Sequence, residues 1–141
     1  MIRRIYDDKI IKYIAMFESI TQAKVKDCII DEKIDEKIVF IIEKGDMGLA
    51  IGKHGANFKR IEAVLKKQIR LIEFDDNLSQ FIKNCIYPVT SVEITQNEKK
   101  VIIKGNDFKS KAMIIGRDKA TLKKTISIVK RFFDIDDITV I

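Results

Sequence analysis

Apolar residues recur along this chain in two rhythms. Ile10, Ile14 and Phe17 are spaced four and three apart, the period of one helix face. Asp7 or Asp8 stands where a cap would open that helix. Val25 to Ile30 and Ile38 to Glu43 read as strands, with the acidic run Asp31 to Glu36 turning between them. The second strand is apolar at every position from Ile38 to Ile42, which predicts cover on both faces and a central place in a sheet. Gly45-Asp46-Met47-Gly48 opens a short helical turn through Ile51. A helix from about Ala56 to Lys67 follows, with Phe58, Ile61 and Leu65 inward and Lys59, Arg60, Lys66 and Lys67 outward. Ile69 to Phe74 reads as a third strand.

The same order then returns. Asn77 caps a helix through Phe81, Ile82 and Cys85, which Tyr87-Pro88 ends, because the residue before proline disfavours the helical region. Strands Val92 to Thr95 and Val101 to Lys104 are separated by Gln96-Asn97-Glu98-Lys99. Phe108 to Ile115 reads as a short helix. Lys119 to Phe133 reads as a longer one, with Leu122, Ile126, Val129 and Phe133 on one face, and a closing strand follows at Ile138 to Ile141. The likeness extends to residues: Ala50-Ile51-Gly52-Lys53-His54-Gly55-Ala56 lines up with Ile114-Ile115-Gly116-Arg117-Asp118-Lys119-Ala120, 64 positions later. Two small domains in tandem are expected, 1–74 and 75–141. The junction Asp75-Asp76 carries no Gly/Ser/Pro tract, which implies packed domains rather than beads on a string.

Charge sharpens this picture. The 141 residues carry a formal +6. Lys44 to Arg70 holds seven basic and two acidic residues, Lys99 to Arg131 eleven and two, and the remainder nets −8. Two basic islands in an acidic background suggest an anionic partner. Each island contains one copy of the glycine segment. Cys28 and Cys85 match no zinc or CxxC spacing and read as buried small hydrophobes in a reducing compartment. No stretch reaches the ~18 apolar residues of a membrane span, and the N-terminus turns acidic too early for a signal peptide. A soluble, cytoplasmic protein is expected.

Enzyme chemistry finds little footing. The single histidine, His54, has no partnered cysteine or serine motif to make it catalytic. Gly48 to His54 falls one residue short of a P-loop and lacks its hydroxyl, and no GxGxxG occurs. The acidic runs Asp31 to Glu36 and Asp134 to Asp137 follow no EF-hand spacing and read as solvated turns. No catalytic residue, metal, cofactor, small-molecule substrate or membrane partner is expected.

The glycine segment itself points elsewhere. Two glycines three apart between two helices make a tight, bare loop. The next helix presents its N-terminus there, with free N–H groups and the positive end of its dipole. Lys53 and His54 must point outward. Such a loop suits a sugar-phosphate backbone passing close over it.

A GXXG loop between two helices of a small three-stranded unit resembles the KH RNA-binding domain, whose loop clamps about four nucleotides. The element order resembles the type II arrangement. Two units in tandem, with Gly45-Asp46-Met47-Gly48-Leu49-Ala50-Ile51-Gly52-Lys53-His54-Gly55 in the first, resemble the archaeal NusA-like transcription factors. The fold implied is α/β (α+β): two tandem type II KH domains, each a three-stranded mixed sheet covered by helices on one face. The resemblance implies RNA contacts at Ile51, Gly52, Lys53, His54, Gly55, Asn57, Lys59 and Arg60. Ile51 and the strand Ile38 to Ile42 would form the apolar floor or core behind the groove. The second loop, Gly116-Arg117-Asp118-Lys119, departs from the pattern, with lysine at the second glycine and an aspartate facing phosphate. There Gly116, Arg117, Lys119, Lys123 and Lys124 are the candidates, acting mainly through charge. The implied function is a single-stranded RNA-binding transcription factor modulating elongation or termination by RNA polymerase on nascent RNA. RNA polymerase stands as a further candidate partner. The alternative is a KH-type protein acting in ribosome assembly or on ribosomal RNA.

Overall fold

The computed structural model describes residues 8–31 and 37–141. The chain divides into two compact units, Met1–Phe74 and Asp75–Ile141. The first begins with α1 (Asp8–Thr21), whose Phe17 is fully buried while Ile10 and Ile14 pack beside it on the core. The helix ends in a satisfied turn: the buried Thr21 hydroxyl donates to Phe17 O at 2.8 Å and accepts from Ala23 N at 3.1 Å. A buried hydroxyl without such partners would be costly.

Strands β1 (Val25–Asp31), β2 (Lys37–Ile42) and β3 (Ile69–Glu73) form one sheet in that order, β1 antiparallel and β3 parallel to β2. A parallel neighbour requires a crossover. It is supplied by α2 (Met47–Ile51) and α3 (Ala56–Leu65). Ile38, Phe40 and Ile42 face Phe17, Ala50 and Ile61 in the core, and the Phe17 and Phe40 rings lie 4.4 Å apart. Val39 and Ile41, on the other face, are buried as well, as the unbroken apolar run required. Removing either core ring to alanine would cost roughly 3–5 kcal/mol.

The second unit repeats the order with α4 (Leu78–Ile86), β4 (Val92–Asn97), β5 (Lys100–Gly105), α5 (Phe108–Ile115), α6 (Ala120–Lys130) and β6 (Asp137–Val140). Its sheet runs β4-β5-β6, again one antiparallel and one parallel pair. Asn77 caps α4 by accepting from Gln80 N at 2.9 Å. Phe81 anchors the core, with Phe132 edge-on at 5.6 Å and Phe133 at 5.7 Å between centroids. The type II KH order and the mixed three-stranded sheets are therefore present in both halves.

Several boundaries differ from the sequence reading. α3 stops at Leu65 because Lys66 turns left-handed (φ 54°) and closes the helix through its N–H to Glu62 O at 2.8 Å. The β4–β5 connection is two residues rather than four, since Glu98 adopts φ 56° and lets both strands run on. On α6 the buried residues are Leu122, Thr125, Ile128 and Val129. Thr125 can be buried because its hydroxyl donates to Thr121 O at 3.2 Å. Ile126 is only part-buried, and Phe133 lies beyond the helix. The Asp7 cap and the acidic turn past Asp31 lie outside the described residues. Among the described residues no helix is long and apolar enough to cross a membrane.

Candidate nucleic-acid interface

The segment Gly45-Asp46 fixes where α2 begins. Asp46 accepts from Lys24 N at 2.9 Å, and Gly45 N donates to Glu73 Oε2 at 2.9 Å. The helix is thus tied to the start of β1 and the end of β3. It closes with Gly52 N donating to Gly48 O at 2.9 Å. Gly52 then takes φ 76°, ψ 171°, His54 φ 56°, ψ 28°, and Gly55 φ 75°, ψ 15°, before α3 starts at Ala56. Three left-handed φ values in four residues bend the chain sharply between two helices, and glycine takes two of them without steric cost.

The two glycines do different work. A Cβ on Gly52 would fall 2.8 Å from Asn57 Cγ and 2.9 Å from Asn57 N, so no side chain fits. Asn57 is held there by donating its amide to Leu49 O at 2.8 Å, a brace between the end of α2 and the start of α3. A Cβ on Gly55 would meet nothing within 4 Å. That open space is what a ligand backbone would need. Lys53 and His54 are exposed at the tip, and Lys59 and Arg60 are exposed on α3. Ile51 is 41% exposed and Leu49 50%, so apolar surface flanks the cations.

The second loop keeps this shape despite its different residues. Gly116 has φ 73°, ψ 176°, Asp118 φ 54°, ψ 30°, and Lys119 φ 63°, ψ 17°. Thr121 occupies the space a Cβ on Gly116 would need, as Asn57 does at Gly52. Lys119 holds the left-handed position that Gly55 holds in the first loop, at a cost of about 1–2 kcal/mol for a residue with a Cβ. Arg117, Asp118, Lys119, Lys123 and Lys124 are all exposed.

Beside this loop lies a groove of about 300 Å³ between α6 and β6. Its lining is Ile115, Leu122, Ile126, Ile138 and Val140, with Lys119, Lys123, Asp137 and Thr139. The structure thus brings the candidates Lys119 and Lys123 to one apolar groove, while Lys124 is not among its lining. Sequence reasoning missed the β6 contribution and the exposed Leu49. The alternating Ile138 and Val140 were the available signal for the first; Leu49 belonged to no stripe.

A model of the KH domain matches residues 11–76. The probable transcription termination protein NusA of Halococcus morrhuae is 34% identical over 133 residues, covering 93% of this chain and 94% of that relative. The protein of the same name from Methanocaldococcus jannaschii is 34% identical over 142 residues, covering 98% of this chain and 75% of that one. The crystal structure of APE1850 aligns over 96% of this chain and 100% of its own, at 25% identity and a TM-score of 0.76.

Proposed function

The chain belongs to the archaeal NusA-like family of KH-domain proteins, and on that premise we propose that it binds single-stranded RNA and acts on transcription, modulating elongation or termination on nascent transcripts. The observation that carries the reading is the bare, left-handed loop Gly52-Lys53-His54-Gly55, with open space at Gly55 and cations at its tip and on α3. Such a loop accepts a phosphate-sugar backbone at close range, while Ile51 and Leu49 offer apolar surface to unstacked bases. The second unit contributes charge from Lys119 and Lys123 in its own groove and from the exposed Arg117 and Lys124. The role in transcription is supported by the names of the relatives. RNA polymerase is a partner within the same proposal.

Two measurements test it. Labelled single-stranded RNA should bind more tightly than duplex of equal length, and equal or better binding to duplex would overturn the reading. Crosslinking in cells should recover nascent transcripts; recovery of ribosomal RNA alone would turn the assignment toward ribosome assembly.

A further inference from the structure

The two glycine loops match in backbone conformation, but the helices that lead into them differ in length. α2 runs from Met47 to Ile51 and α5 from Phe108 to Ile115, so α5 carries an additional turn at its start. The residue that opens this turn is Phe108, and it is 86% exposed. A phenylalanine left in water gives up the gain its burial would bring, and nothing in the turn requires a ring.

Its surroundings select a ligand. Asp107 beside it is occupied, capping α5 by accepting from Ser110 N at 2.7 Å. The other charged residues of its turn are cations: Lys109 next to it, and Lys111, whose side chain lies against Gly105. Both belong to the Lys99–Arg131 segment, with eleven basic residues against two acidic. An exposed ring among lysines matches an aromatic base carried on a phosphate chain.

The ring is also in line with the groove. Phe108, Ala112 and Ile115 are spaced four and three apart and share one face of α5. Ile115 lines the groove together with Lys119 and Lys123. Ala112 between them is exposed and small, and Lys111, on the same face, lays its side chain against Gly105. The helix covers the distance from Ile115 to Phe108 in about 10 Å. We propose that Phe108 is a base-stacking platform, extending the RNA track of the second unit from the groove along α5. This rests on the RNA-binding reading above.

The chain contains no tryptophan, so F108W installs a sole tryptophan, excited selectively over the three tyrosines, at the proposed contact in the full-length protein. A fluorescein-labelled 12-nucleotide single-stranded RNA is titrated at fixed salt, reading dye anisotropy and tryptophan emission together. The expected result is quenching that follows the anisotropy curve. Phe108→Leu, which keeps an apolar side chain without a ring, should weaken binding roughly five- to thirtyfold, whereas Phe108→Tyr should bind as the native chain does. If the native chain binds RNA but emission is unchanged and Phe108→Leu binds equally well, the platform is wrong and the RNA-binding reading stands. If the native chain does not bind the RNA, that reading falls and the platform with it. Self-association of the native chain in sedimentation, lost in Phe108→Leu, would assign the ring to a protein contact and overturn the proposal.

Discussion

Gly55 and Lys119 occupy equivalent backbone positions, and the contrast between them decides what each loop can do. Lys53→Asp combined with His54→Asp should lower affinity for single-stranded RNA by an order of magnitude or more, by repelling phosphates from the tip. Folding should survive, because both side chains are exposed and aspartate already adopts this left-handed conformation at Asp118. Arg117→Asp should cost less, since Asp118 already weakens that tip. Titrations at fixed salt, with circular dichroism on each variant, make the comparison; a larger loss at Arg117 would shift the main contact to the second unit. Lys119→Gly should stabilise the protein by about 0.5–1 kcal/mol, by relieving the left-handed strain less the entropy that glycine adds to the unfolded chain. A lowered denaturant midpoint would contradict it. The GXXG loop was legible because paired glycines between helical patterns have few other uses. The Asn57 and Thr121 contacts that forbid a Cβ at the first glycine were not legible. They depend on where the following helix starts, which no local pattern encodes.

α5 shows how a helix terminus responds to pH. Its cap, Asp107, is held below the usual carboxylate range, chiefly by the hydrogen bond from the Ser110 backbone and then by the Ser110 hydroxyl. A depressed folded-state value means the charged cap stabilises above the ordinary aspartate range, near pH 4, and that this contribution disappears as pH falls through the lower folded value. Asp107→Asn keeps an acceptor for Ser110 N without the charge. The native chain should therefore exceed Asp107→Asn in thermal midpoint near pH 7, with the gap closing toward pH 3. A gap that widens on acidification would be inconsistent with this cap. At the scale of elements the sequence was readable where period and punctuation agreed, as in α1, β2 and α5. It was less readable where a polar residue hides its use. Thr125 reads as surface until its hydroxyl is seen bonded to Thr121 O, and Glu98 reads as loop until its left-handed φ shortens the turn.

Over the whole molecule, the cations that matter are concentrated rather than numerous. The net charge is only +6, yet the two segments bearing the loops carry +5 and +9. RNA binding should therefore depend strongly on salt although the residues outside these segments net −8. If four to six phosphates are neutralised, log K should fall with log salt at a slope of roughly −3 to −4. A slope near zero in a titration series from low to physiological salt would remove the basic segments from the contact surface.

At the first, third and fourth positions the two loops share their backbone angles to within about twelve degrees, while differing in three of four residues. The protein thereby carries a matched pair of moulds in one chain, cast alike and lined differently. Any preference of an RNA for one mould over the other cannot come from loop geometry. It must be read from what Lys53, His54 and Gly55 present against Arg117, Asp118 and Lys119, together with their flanking surfaces. Exchanging those three residues between the loops would transplant the preference without recasting either mould.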